Sequence, residues 1–306
     1  MLELSSEKLT MKIAITGANS RVGQILVQHI LDSGEHSVLA SARSLKSLQV
    51  LPESSRIETA AISYDAVDEL AKVLAGADCL VHLAGILMEG KNSSYQSANV
   101  DATAAVVAAA KKAAVPHIVF ISVIGADMNS ANAYFRSKAA AEQLVAASEL
   151  SSTIIRTPIL LGPGAAGAAA IKWASGNPKP KLLGGGRYTM RPLDIDDLCV
   201  AIVNSCQAQL QGSATHELVG PQAIQYCDLV KLAASMQGRE VEIGSFPIGV
   251  AKFAASMKGI FSKGGMSPTV IDVITMNEHA EHNAAVALGV ELTPLKQTLQ
   301  KFILQQ

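Results

Sequence analysis

Tyr134 and Lys138 stand four residues apart in the segment Tyr134-Phe-Arg-Ser-Lys138, a spacing that puts both side chains on one face of a helix. A free tyrosine keeps its proton up to a pH of roughly 10. A neighbouring ammonium favours the phenolate and lowers that value. The pair therefore has the character of a general acid and base, trading a proton with a substrate hydroxyl or carbonyl. A chance pair on an amphipathic helix is the plainer alternative, and the rest of the sequence must decide between the two.

A second segment with chemical meaning is Thr16-Gly-Ala-Asn-Ser-Arg-Val-Gly23. It follows the β-branched run Lys12–Thr16 and opens the helical spacing of Val22–Leu31, the context in which a glycine turn binds a dinucleotide. Gly17 permits the tight turn and Gly23 lets the helix approach the strand. Asn19, Ser20, Arg21 and Val22 complete the loop, whose N–H groups and positive helix end suit a pyrophosphate. Ser20 occupies the place of the usual middle glycine, adding bulk and a hydroxyl donor. The next strand ends Ala40-Ser41-Ala42-Arg43, with no acid to hold a ribose 2′-hydroxyl. A cation with a nearby hydroxyl suits a 2′-phosphate. The expected cofactor is therefore NADP, with NAD the alternative, and Arg21 is expected to join Arg43 and Ser41 in that pocket.

These residues need a scaffold. Short apolar runs at His36–Ala42, Arg56–Ser63, Cys79–Ala84 and His117–Ser122 alternate with helical stretches at Val67–Leu74 and Ala98–Ala114. Such a beat gives strands buried on both faces, hence a Rossmann-type, doubly wound parallel α/β sheet. After about residue 160 the rhythm loosens around Gly162-Pro-Gly164, Gly176-Asn-Pro178 and Gly184-Gly-Gly186, with helices expected at Ile195–Gln207, Cys227–Met236 and Thr293–Leu304. The expected organisation is a leader over 1–10, a nucleotide-binding domain over 11–160, and a smaller α/β substrate lobe over 161–306 that returns segments to the core.

Composition narrows the partners. Of 306 residues, 49% are hydrophobic and 17% charged, with a net charge of −1. That excludes disorder, and neither the balance nor any basic cluster suits a nucleic-acid partner. No uninterrupted apolar run reaches the ~18–20 residues of a membrane span, since Lys111 and Lys112 break the alanine-rich stretch Ala102–Val115. Cys79, Cys199, Cys206 and Cys227 read as small buried hydrophobes of a reducing, cytoplasmic compartment. His82 and His117 read as structural, and no metal set emerges. The stretch Phe246–Lys263 mixes large apolar residues with lysines. It reads as an amphipathic helix over the substrate lobe, with a lid, a partner surface or a membrane-surface helix as alternatives.

Taken in order, these segments and several others resemble the short-chain dehydrogenase/reductase superfamily, in its extended and atypical branches. Thr16–Gly23 is similar to that family's glycine turn, and Tyr134–Lys138 to its tyrosine–lysine pair. Asp78-Cys-Leu-Val-His-Leu83-Ala84-Gly85 is similar to its fourth-strand signature. Asp65 and Asn99 fall where the family has an adenine-side acid and an asparagine. Arg156-Thr-Pro158-Ile-Leu-Leu-Gly-Pro-Gly164 and Arg191-Pro-Leu-Asp-Ile-Asp196-Asp197 resemble two later segments. The resemblance implies cofactor contacts at Asp65, Leu83, Ala84, Gly85, Asn99, Lys138 and Pro158. It also implies a catalytic hydroxyl at the end of the fifth strand, for which Ser122 is the candidate. Aligned strand to strand, that hydroxyl falls nearer Val123, and strand alternation predicts that Ser122 aims away from the substrate. Around Phe120–Ala126 and Tyr134–Glu142 the flavour is closest to atypical members related to an accessory subunit of respiratory complex I.

The implied activity is that of an NADP-dependent oxidoreductase or isomerase acting on a small molecule held in the C-terminal lobe. A non-catalytic NADP(H)-binding accessory or sensor protein is the alternative. Pairing of two copies through helices near Ala98–Ala114 and Phe135–Ser148 is a further analogy with the family.

Overall fold

The computed structural model describes residues 10–261 and 266–304, and the side chains of 258–261 lie outside the description. The leader over 1–10 and Lys263 therefore fall outside the described residues, Thr10 apart. The first half runs β1 (Lys12–Thr16), α1 (Arg21–Ser33), β2 (Ser37–Ala42), β3 (Ile57–Ala61), α2 (Val67–Leu74), β4 (Cys79–His82), α3 (Ala102–Lys112), β5 (His117–Val123), α4 (Ala133–Ala146) and β6 (Ser151–Thr157). The second half runs β7 (Leu160–Leu161), α5 (Ala166–Gly176), β8 (Lys181–Leu183), β9 (Thr189–Met190), β10 (Leu193–Asp194), α6 (Ile195–Ala208), β11 (Ser213–Glu217), β12 (Ile224–Gln225), α7 (Tyr226–Ser235), β13 (Gly244–Phe246), α8 (Ile248–Phe261), α9 (Pro268–Ile274) and α10 (Leu295–Ile303).

Seven strands form one sheet in the order β11-β6-β5-β4-β1-β2-β3. Every pairing in it is parallel. Strand alternation splits its apolar residues between two cores. Ile13, Ile15, Val119 and Ile155 pack under α1 and α6, where Leu26, Ile30, Leu198 and Ile202 meet them. Ala14, Ile118, Phe120 and Ile154 pack against α2, α3 and α4 through Leu70, Val106, Ala141 and Val145. The order reverses between β1 and β4. In such sheets the crevice at the carboxyl ends of these strands is where ligands bind.

Two elements differ from expectation. The helix expected to run unbroken from Ala98 begins with a π-helical turn over Gln96–Asp101 before α3. Asn99 explains it: its side chain accepts from Ile86 N at 2.8 Å and donates to Ile86 O at 3.2 Å and to Ser137 Oγ at 2.9 Å. Drawing that side chain to its partners widens the turn, and such bulges recur at functional sites. The seventh strand, β11, reads Ser-Ala-Thr-His-Glu. It has neither an apolar run nor alternation, because it is a sheet edge.

The later part of the chain builds a small third core around Leu161, Ile171, Leu229 and Leu299, and three two-stranded pairings: β10–β7, β12–β9 and β13–β8. Lys301 of α10 pairs with Asp194 and Asp196, each at 2.7 Å, which fastens α10 to the start of α6. Among the described residues no helix is long and apolar enough to cross a membrane.

Candidate functional site

The glycine turn is built by backbone geometry. Gly17 has φ +78°, and a Cβ there would meet the backbone N of Ala84 at 3.0 Å. Gly17 N and Ala18 N both donate to Ser41 O, at 3.0 and 3.1 Å. Ser20 caps α1, its Oγ accepting from Gly23 N at 3.1 Å, as short hydroxyl side chains do at helix starts. A Cβ on Gly23 would sit 2.6 Å from Ala18 O, so α1 approaches the strand only because that residue is glycine. No acidic side chain occupies the first turn of α1, which leaves the positive helix end open to a phosphate.

A cavity of about 620 Å³ opens beside this turn, walled by Gly17, Asn19, Ser20, Arg43, Asp65 and Leu83–Ile86 among others. Arg43 is exposed on its wall, and its charge reaches Tyr64, whose hydroxyl burial pushes up to about 12. Two expectations are corrected here. Ser41 is buried and its Oγ donates to Ile15 O at 2.9 Å, so it serves the sheet and is turned from the cavity. Arg21, the first residue of α1, points the other way, donating from Nε to Pro163 O at 2.7 Å. It lines a second cavity and does not join Arg43.

The second cavity, about 300 Å³, holds Tyr134 and Lys138 together with Arg21, Val22, Ser122, Val123, Thr157 and Pro158. Ser20, Leu83, Gly85 and Ile86 line both cavities, so the two adjoin at the turn. Asn132 caps α4, its Oδ1 accepting from Tyr134 N at 3.0 Å, which fixes the tyrosine at the head of the helix. The Tyr134 ring lies 5.8 Å from Tyr95 and 5.7 Å from Phe135. Lys138 Nζ donates to Ile121 O at 2.8 Å and stands 4.3 Å above the centre of the Phe120 ring.

The electrostatics depart from the simple tyrosine–ammonium picture. Burial first, then Tyr95, pushes the Tyr134 hydroxyl well above the ordinary tyrosine range. Burial lowers Lys138 to about 8, with Glu142 opposing. The expected lowering of the tyrosine by the lysine is absent, and the ammonium donates to the Ile121 carbonyl. Ser122 also departs from expectation. Ile118 and Phe120 face α4, and alternation puts Ser122 on that same face, on the side of the tyrosine helix. Its Oγ is buried with no hydrogen-bond partner among the described residues. Val123 pairs in register with Thr157, which brings in a hydroxyl the sequence did not single out. Only the β5–β6 register reveals it.

Behind the cavities runs a buried polar chain. Thr103 Oγ1 donates its one hydrogen to Asn99 O at 2.7 Å. Its oxygen must then accept from His82 Nε2, 3.1 Å away, and His82 Nδ1 accepts from Thr16 Oγ1 at 2.6 Å. Desolvation, then Lys138, lowers His82 to about 3, so the ring is neutral. Asn99 is 1% exposed and lies behind Gly85, shaping the wall through Ile86 and Ser137.

The NAD(P)H-binding family profile matches residues 17–204. Ceramide reductase of Caulobacter vibrioides is 25% identical over 293 residues, 93% of this chain and 89% of that protein. The mitochondrial NADH dehydrogenase (ubiquinone) 1 alpha subcomplex subunit 9 of Arabidopsis thaliana is 25% identical over 252 residues, 79% of this chain and 62% of that protein. Among solved structures, UDP-glucuronic acid 4-epimerase from Bacillus cereus with NAD superposes with a TM-score of 0.74 at 19% identity, over 96% of this chain and 97% of that one.

Proposed function

The chain belongs to the NAD(P)H-binding family, and from that premise we propose that it is an NADP(H)-dependent oxidoreductase of the short-chain dehydrogenase/reductase type, acting on a carbonyl or hydroxyl beside Tyr134. The observation that carries this reading is the adjacency of the two cavities. Side by side they extend from Arg43, past the helix end at Ser20, to Tyr134 and Lys138. The turn's backbone fits a pyrophosphate, and Arg43 fits a 2′-phosphate. The nicotinamide group, when bound, supplies hydride chemistry.

The chain's own residues do the rest. Tyr134 gives a proton to a carbonyl oxygen in one direction and takes one from a hydroxyl in the other. Burial holds that proton on the tyrosine, which suits the acid role. Lys138, lowered to about 8 by burial, is the cation that would hold a ribose hydroxyl of the cofactor in place of Ile121 O, and from there it would favour the phenolate of Tyr134. Ser122, whose Oγ has no partner among the described residues, is the hydroxyl at hand for the reacting oxygen, since Thr157 Oγ1 already donates to Ser122 O at 3.2 Å. Val22, Leu83, Leu87, Ile121 and Leu160 give the second cavity largely apolar walls. That suits an apolar substrate, as does the lipid in the name of the Caulobacter reductase.

The test is consumption of NADPH with long-chain ketones. Tyr134→Phe is expected to lower turnover by about 100-fold or more while NADPH affinity stays within about twofold. A second reading, a nucleotide-binding accessory protein, rests on the strand alignment by which the family's hydroxyl falls nearer Val123. Tight NADPH binding with no turnover by any ketone would select it.

A further inference from the structure

Between β13 and α9 the molecule leaves a run of large apolar side chains in solvent. Phe253 is 70% exposed, and Val250, Met257, Phe246 and Met266 are exposed with it. Positions 250, 253 and 257 recur at helical spacing, so they form one stripe along α8. Ala255, buried, takes the inner side. A run of this kind marks an interaction site rather than ordinary surface.

Charge identifies the occupant. From 246 to 272 the sequence has three lysines, Lys252, Lys258 and Lys263, and a single acid, Asp272. That acid is already paired with Lys252. The segment is therefore net positive in a chain whose overall charge is −1. Phenylalanine, valine and methionine on one stripe, in a segment whose sequence carries three lysines and one acid, match the chemistry of a negatively charged lipid interface.

We propose that the exposed face of α8 docks on an anionic lipid surface. The docked face is mechanically close to the tyrosine. Asn132, the cap of α4, donates from Nδ2 to Thr269 O at 3.0 Å at the start of α9, and α9 is held to α8 by the Lys252–Asp272 pair. The helix that meets the lipid and the helix that presents Tyr134 thus share a strut. The proposal does not depend on turnover, so it stands or falls apart from the oxidoreductase reading.

The experiment is co-sedimentation of the full chain with vesicles of phosphatidylcholine alone and of phosphatidylcholine mixed equally with phosphatidylglycerol. The expected result is binding to the mixed vesicles, weaker in high salt and on the neutral ones. Phe253→Glu combined with Val250→Glu should reduce it by about tenfold or more, with an unchanged circular dichroism spectrum. Val286→Glu, at a residue 92% exposed outside the segment, should leave it intact. No binding to the mixed vesicles, equal binding by the double variant, or equal binding to neutral vesicles would overturn the proposal. So would a dimer that Phe253→Glu dissolves, since the face would then be occupied by a second copy.

Discussion

The two adjoining cavities, the two halves of the site, are built on different principles. The half beside Arg43 is made of backbone: a left-handed glycine, a helix end, and carbonyls and N–H groups at fixed distances, with exposed side chains added at the rim. The half beside Tyr134 is made of buried side chains, with a lysine against a carbonyl and a ring, a tyrosine among aromatics, and a serine with no partner. Backbone recognition resists substitution and supplies affinity. Buried titratable groups destabilise the fold, and such strain is commonly kept where chemistry needs it. The contrast suggests that the first half holds the nucleotide and the second half is poised to act on something else.

Ser122→Ala probes this contrast most strongly. Deleting a donor to a reacting oxygen typically lowers turnover by about 100-fold. The Oγ is buried and unpartnered, so its removal should leave the unfolding midpoint unchanged or raised. Loss of stability together with intact turnover would make Ser122 a packing residue and blur the distinction.

Lys138→Met comes next. A lysine whose folded pKa is about 8 against an ordinary 10.5 is protonated at a disadvantage in the fold. That penalty is fully present below pH 8 and disappears as pH rises from 8 toward 10.5, since the unfolded chain binds the extra proton in that window. The shift corresponds to about 3 kcal/mol, offset by about 1 kcal/mol for the lost bond to Ile121 O. Urea unfolding should therefore show Lys138→Met more stable than the parent by about 2 kcal/mol at pH 7, with the gain shrinking toward pH 10. A variant that is less stable at pH 7 would mean that the lysine's contacts outweigh its burial.

Ser41→Ala is the smallest effect and belongs to the backbone half. Losing the hydrogen bond to Ile15 O should cost about 1 kcal/mol in chemical denaturation, with the ratio of NADPH to NADH affinity unchanged. A changed ratio would return Ser41 to the 2′-phosphate pocket.

Much of the backbone half was legible in the sequence, because turn chemistry is local. Gly17, Ser20 and Gly23 are consecutive features of one loop, and the flanking run Lys12–Thr16 matches β1 residue for residue. The side-chain half was legible only as residue types. Tyr134 and Lys138 announce themselves by spacing. The bond from Lys138 to Ile121 O, the side to which Ser122 turns and the pairing of Thr157 with Val123 all depend on register and on which helix covers which face. Arg21 was misplaced for the same reason: its partner, Pro163, lies in a distant loop. Strands β7 to β13, most of them two or three residues long apart from β11, carry no period that a sequence can display.

In the proposed reading a nicotinamide dinucleotide lies across the two cavities with its adenine end at Arg43. The decisive experiment is titration of the parent chain and of Arg43→Glu with NADPH and NADH, followed by nicotinamide fluorescence. NADPH is expected to bind the parent about tenfold or more tighter than NADH, and Arg43→Glu is expected to abolish the difference. Binding of neither nucleotide, or a preference that survives Arg43→Glu, would contradict that reading.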